Sequence, residues 1–259
     1  MKSFLETTFN LEGKVVLLTG AGGHLVGEMS RSLAKAGMKI VCCDNNPDAA
    51  QTVVNDITAN GGTAIAVKVD VRLVEDLQNA LTEAIKHFGQ LDCVLNGAGG
   101  NAPTPFLEIP LQEWNDIIAV QLTGTMLSCQ VFGKYMVERG SGSIINISSA
   151  SSGPPLSKAF AYSVAKSGVK NLTQNIAREW GTTGVRVNAL RPGFFPTEWS
   201  MKHFITSERE AAILGHTGMK RYGKPSELVG AVMWLFSDAA GFVTGAEIAV
   251  DGGFTAMTI

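Results

Sequence analysis

The chain has 259 residues, the size of one large domain or two small ones at roughly 100–200 residues each. Apolar residues make up 45% and charged residues 17%, which excludes a disordered chain and fits a large core or surface buried between subunits. With 21 Lys and Arg against 23 Asp and Glu, a net charge of −2, there is neither the basic excess of a nucleic-acid binder nor a charged tail.

In chain order, the opening residues Met1 to Phe9 lack the long apolar stretch of a signal peptide. No run of about 18 apolar residues follows, so no membrane span is expected. Val15 to Leu18 is a continuous apolar run, the mark of a strand buried on both faces. A glycine-rich turn and a helix to Gly37 come next, then a strand over Lys39 to Cys43. Pro47 fits the first turn of a helix running to Asn60. Ala64 to Val69 is a strand, Leu73 to Phe88 a helix and Leu91 to Leu95 a strand. Glu113 to Arg139 reads as one long helix stopped at Gly140, followed by a strand over Ser143 to Ile147. Ser157 to Trp180 is a helix, Val185 to Leu190 a strand, Ser226 to Phe236 a helix and Glu247 to Val250 a last strand.

Strand and helix alternate throughout, which predicts a doubly wound α/β parallel sheet of about seven strands with helices on both faces. No linker or composition break divides the chain, so residues 1–259 are expected to form a single domain. The least regular stretch, 194–223, carries Trp199, His203 and His216 and follows a strand's carboxyl end, where ligands bind in such sheets. A substrate lid is expected there, against the plainer reading of a surface excursion. Cys42, Cys43, Cys93 and Cys129 form no Cys-x-x-Cys pair, so reduced thiols are expected rather than disulfides or a metal site. A soluble, cytoplasmic protein is the expectation.

Three constellations carry chemistry. Thr19-Gly20-Ala21-Gly22-Gly23-His24-Leu25 follows the first strand. Glycines there let the backbone approach a pyrophosphate, and the next helix offers free N–H groups and its positive end. An ordinary strand-to-helix turn has the same look. Asp44 ends the second strand, where an acid bonds the ribose hydroxyls of NAD and repels the extra phosphate of NADP. Asp also serves turns at strand ends. Tyr162 and Lys166 are four apart on one helix face, following a strand that leads into Ser149. A tyrosine with a pKa of about 10 needs help to exchange protons at neutral pH. A nearby ammonium supplies it by favouring the phenolate.

In this order the pieces resemble the short-chain dehydrogenase/reductase family, from Gly13 to Gly253. Thr19, Gly20 and the following glycines are similar to its cofactor loop, Asp70 and Val71 to its adenine-contacting pair, and Asn96-Gly97-Ala98-Gly99 to its Asn-Asn-Ala-Gly. Ser149, Tyr162 and Lys166 fall at its catalytic serine, tyrosine and lysine. Pro192-Gly193-Phe194-Phe195-Pro196-Thr197 resembles its nicotinamide-holding segment, and Val250-Asp251-Gly252-Gly253 its C-terminal signature. His24 and Val26 stand where the family loop has glycines, and Gln121 where it has a catalytic asparagine that positions a relay water. His24 reads either as a phosphate contact or as an exposed turn residue. Asn96-Gly97-Ala98-Gly99-Gly100-Asn101, Pro192 to Phe195, His216-Thr217 and Gly252 to Ala256 look like the branch acting on sugar acids, such as fructuronate (D-mannonate) and gluconate dehydrogenases. There Asn101 and His216 are candidates for substrate hydroxyls or a carboxylate, or for structural roles.

The resemblance implies a Rossmann fold, usually a homotetramer. It also implies an NAD(H)-dependent oxidoreductase interconverting a secondary alcohol and a ketone, on a sugar acid or polyol. Rival readings are a 3-oxoacyl thioester reductase, which would use NADPH, and a catalytically silent dinucleotide-binding sensor or scaffold.

Overall fold

The computed structural model describes residues 3–197, 201–202 and 205–257. Trp199 and His203 lie outside the described residues. Seven strands form one parallel sheet in the order β3-β2-β1-β4-β5-β6-β7. They are β1 Val15–Thr19, β2 Lys39–Asp44, β3 Thr63–Lys68, β4 Cys93–Asn96, β5 Gly142–Ile147, β6 Val185–Pro192 and β7 Glu247–Val250. The chain winds outward from β1 to β3, then returns so that β4 pairs with the other side of β1, Val16 opposite both Ile40 and Cys93. That reversal leaves a crevice at the carboxyl ends of β1 and β4, the place such sheets bind ligands.

The period of two along β1 divides two cores. Val16 and Leu18 face helices α2 (His24–Lys35) and α3 (Pro47–Ala59), packing with Leu33, Val53 and Ile57. Val15 and Leu17 face the other side, toward Leu77 of α4 (Val74–Phe88). All five residues of β1 are buried, which is why it reads as a continuous apolar run. Helix α3 starts where its sequence says: Pro47 occupies the first turn, and the Asn46 side chain accepts from the Asp48 and Ala49 N–H groups.

Four expectations change. First, the chain opens with a short helix, α1 (Phe4–Thr8), capped by Ser3. Second, Glu113 to Arg139 is not one regular helix. It is α5 (Leu111–Ile118), a π-helical turn over Ala119–Thr123, and α6 (Gly124–Arg139). A widened turn changes no hydrophobic period strongly enough to read from sequence, and such turns concentrate at functional sites. Third, 194–223 is less irregular than expected, because Ser207–Gly215 forms a helix, α8. The helix over Ser157 to Trp180 starts later, as α7 (Phe160–Glu179), because Lys158 adopts a left-handed backbone with φ of 59°. The last helix is α9 (Val229–Phe236). No helix among the described residues is long and apolar enough to cross a membrane.

Candidate active site

A cleft of about 790 Å³ opens at the carboxyl ends of the strands. One end is built mainly by backbone. Gly20 lies in the left-handed region at φ 76°, and a Cβ on it would meet the Ala98 Cα at 2.9 Å. The turn after β1 is thus pressed against the turn after β4, a contact that only glycine permits. Gly23 precedes α2, and no side chain caps the helix, so its first N–H groups are left for a ligand. Gly23, His24 and Leu25 line the cleft, with His24 exposed.

Val26, in the first turn of α2 after β1, and Gly97, in the turn after β4, are two departures that explain each other. Val26 is buried, and a Cβ on Gly97 would meet its Cγ2 at 2.6 Å. A valine stands where the family has glycine, and a glycine stands where the family has asparagine. The turn keeps its packing by moving bulk from one side of the contact to the other.

Three residues expected at the cofactor bond within the protein and are not among those lining the cleft. Thr19 is buried, and its Oγ1 accepts from the Gly97 and Ala98 N–H groups at 3.2 and 3.3 Å, joining β1 to β4. The Gly22 N–H donates to Asp44 Oδ2 at 2.9 Å. Asn96 is buried and donates to Asn146 Oδ1 at 2.8 Å, while Ser128 donates to Asn96 Oδ1. None of the three lines the cleft. Thr19 and Asn96 are buried, and a buried polar group needs a partner.

Asp44 does line the cleft, and its other oxygen accepts from the Asn46 N–H at 2.9 Å. Ala98, Gly99, Asp70 and Val71 line it too. Asp70 holds the Arg72 guanidinium through both oxygens, with contacts of 2.6 to 3.1 Å. That hydrogen-bonded pair keeps the Asp70 carboxyl below its usual range. Pro192, Gly193, Phe195 and Thr197 close the same wall after β6. Gly193 packs against the C-terminal signature: a Cβ there would meet the Asp251 Cα at 2.6 Å.

At mid-cleft the three side chains expected to do chemistry converge. Ser149 Oγ accepts from the Ser151 N–H at 3.2 Å and from the Ser151 hydroxyl at 3.1 Å. With its lone pairs so engaged, its single proton is the one it can give, to Tyr162 or to a group in the cleft. Burial raises the Tyr162 phenol above its ordinary value, and a hydrogen bond from Ser149 pulls it back. The phenol therefore stays protonated at neutral pH. Lys166 is buried, its Nζ 5.6 Å from the centre of the Tyr162 ring and donating to the Ile147 carbonyl at 2.6 Å. Burial lowers it to about 7. A lysine this desolvated holds its charge weakly near neutral pH.

Gln121 enters the cleft from the π-helical turn. Its Nε2 donates to the Gly100 carbonyl at 2.6 Å, which fixes which way the amide faces, and its Oε1 is buried without a partner. Gly99 lies against the amide so closely that a Cβ would collide with it. An orphaned buried acceptor costs about 1–3 kcal/mol, so this oxygen is placed for a water or a ligand.

Asn101 lines the cleft, but its side chain donates to the Lys158 carbonyl at 3.1 Å. His216 does not line it; the ring packs edge-on against Phe254, 4.9 Å between centroids. Sequence reasoning missed Arg72 and Arg209, both in the cleft wall. Arg209 had a readable signal: Thr206 caps α8, Glu208 and Glu210 lie in its first turn, and Gly215 ends it.

A family model described as "Enoyl-(Acyl carrier protein) reductase" matches residues 26–255. An uncharacterized oxidoreductase of Bacillus subtilis, UxuB, is 38% identical over 96% of this chain and 97% of its own length. A gluconate 5-dehydrogenase from Burkholderia cenocepacia, solved with NADP and tartrate, superposes with a TM-score of 0.92 at 30% identity, over 97% of this chain and 99% of that one. A structure assigned as a D-mannonate oxidoreductase of Haemophilus influenza, with bound NAD, gives 0.90 at 33% identity, over 96% of this chain and 97% of that one. Sequence and fold agree over most of the length, and the chain belongs to the short-chain dehydrogenase/reductase family.

Proposed function

We propose that this protein is an NAD(H)-dependent oxidoreductase that interconverts a secondary alcohol and a ketone on a sugar acid or polyol. The observation that carries it is the convergence of Ser149, Tyr162 and Lys166 at mid-cleft, beside an uncapped helix N-terminus that suits a dinucleotide. The related structures named for gluconate and D-mannonate support the substrate class.

The residues fit the cofactor. The free N–H groups of α2 would hold the pyrophosphate, Asp44 the adenosine ribose, and Tyr162 and Lys166 the nicotinamide ribose. When bound, the nicotinamide supplies or accepts the hydride. For reduction, Ser149 donates to the carbonyl oxygen and polarises it. Tyr162, protonated because it is buried, gives its proton to that oxygen as negative charge develops. Lys166 returns a proton to Tyr162, and Gln121 Oε1 orients a water behind the lysine. In oxidation the same atoms run in reverse.

The nucleotide is argued from Asp44, since relatives are seen with either form. A carboxylate beside a 2′-phosphate is like-charge repulsion, and the neighbours Asn45 and Asn46 carry no cation to receive it. NADH should bind at least tenfold tighter than NADPH in a fluorescence titration; equal affinities would overturn the assignment. Turnover of a panel of keto acids, ketoses and a 3-oxoacyl thioester with NADH tests the reaction itself. A preference for the thioester with NADPH would favour the rival enzyme, and no turnover at all a silent nucleotide-binding protein.

Residues 194–223 act in this reading as a lid, because Thr197 and Arg209 come from that segment and line the cleft. Self-association as a homotetramer is supported by exposed apolar side chains on neighbouring elements: Leu111, Phe160 and Val164, with Phe106 packed on Phe160 at 5.2 Å. Light scattering of the purified chain checks it. Residence in the cytoplasm fits four buried free thiols.

A further inference from the structure

The reacting cleft does not end at Ser149 and Tyr162. Asn101 and Arg209 line it and also line an adjoining recess of about 320 Å³, shared with Lys158, Lys202 and Thr206. Three cationic side chains therefore meet one recess that opens into the cleft.

None of them has a carboxylate partner among the described residues. Elsewhere in the chain Arg31, Arg72, Arg139, Arg191 and Arg221 are each paired with an acid. Arg209 instead donates to the Ser157 hydroxyl at 3.0 Å and to the Ser157 carbonyl at 3.3 Å, both neutral acceptors. Those bonds orient the guanidinium without neutralising it and leave donors to spare, since the group carries five N–H. The acids beside it on α8, Glu208 and Glu210, line neither the recess nor the cleft. Glu208 is held by its own helix N-terminus and by Thr206. Lys158 is fixed as well: its backbone is in the left-handed region, and Asn101 holds its carbonyl. Among the described residues, positive charge without an acid partner thus gathers at the cleft that Ser149 and Tyr162 also line.

We infer that this recess receives the carboxylate of an open-chain hydroxy or keto acid, with Arg209 as its principal partner and Lys158 and Lys202 adding charge, while the reacting carbon lies at Ser149 and Tyr162. Planar, forked recognition of a carboxylate is what a guanidinium does best. The inference rests on the sugar-acid reading for its substrate, and it adds which residues set the preference for an acid over a neutral polyol.

The test compares wild type, Arg209→Met and Arg209→Lys on a sugar acid and on the neutral polyol of the same chain length. Losing a charged hydrogen bond should raise KM for the acid about 10- to 100-fold and lower the acid-to-polyol ratio of kcat/KM by the same factor. Arg209→Lys should recover part of it, and NADH affinity and melting temperature should be those of wild type. The wild-type KM for the acid should rise with salt, and less so in Arg209→Met. An unchanged acid-to-polyol ratio in a folded Arg209→Met protein overturns the inference. If wild type turns over neither substrate, the proposed reaction fails on its own, and calorimetric binding of D-gluconate to the NADH complex decides the recess. Binding lost in Arg209→Met supports it; no binding to wild type, or equal binding to the variant, overturns it.

Discussion

The two ends of the cleft are made differently. The nucleotide end is made of backbone: glycines in tight contact, free helix N–H groups, and one acid tied to the turn by the Gly22 N–H. The substrate end is made of long side chains, Lys158, Lys202 and Arg209, from segments more than forty residues apart in sequence. Backbone recognition suits a cofactor common to many enzymes, and it leaves little freedom to vary. Side chains on the segment after β6 change specificity without disturbing the sheet.

Removing the chemistry between the two ends should have the largest effect and spare both. Tyr162→Phe keeps the ring and removes the proton donor. Turnover should fall about 100-fold or more, with NADH binding and melting temperature little changed. Near-normal turnover would show that the proton comes from elsewhere.

Gly97→Ala strikes the backbone-built end. Its Cβ would overlap Val26 Cγ2, 2.6 Å away, and overpacking of this kind costs about 1–3 kcal/mol. Chemical denaturation should show that loss. In a Val26→Ala background the cost should shrink, because the two positions share one contact. Additive effects would mean that valine and glycine are not compensating for each other. An alanine at an exposed position of the substrate end, by contrast, should leave stability unchanged.

Gln121 lies where the ends meet. Gln121→Ala should lower turnover about tenfold, equivalent to about 1.4 kcal/mol, with NADH affinity kept. Gln121→Asn restores the family residue and should recover activity if the glutamine is a tolerated substitute. A lower melting temperature at unchanged rate would make the residue purely structural.

The last effect is a slope rather than a single step. Lys166 is lowered by burial from 10.5 to about 7, so between those values the unfolded chain holds a proton that the folded chain lacks. Stability contributed by this group therefore rises with pH across that window, by at most about 1.4 kcal/mol per pH unit. In the nucleotide-free protein, the difference between wild type and Lys166→Met should change across pH 7 to 10.5 in that direction. A constant difference would mean that the lysine is not desolvated.

The sheet and the grouping of Ser149, Tyr162 and Lys166 on one cleft were legible in the sequence because they rest on local rules. Apolar runs mark doubly buried strands, Asn46 and Pro47 mark a helix start, and an i,i+4 spacing puts Tyr162 and Lys166 on one face. What tertiary structure alone decided are properties of contacts between distant segments. Thr19 and Asn96 were drawn behind the wall by partners as far as 79 residues away, as in the bond from Ala98 to Thr19. The Tyr162 and Lys166 proton affinities follow from burial, which no spacing reports. Val26 and Gly97 each look like a defect alone and become a fit only where two turns touch. The unpaired charge of Arg209 is the plainest case: an arginine between two glutamates reads as a solvated helix face. Only the fold shows that Arg209 lines the cleft while Glu208 and Glu210 do not.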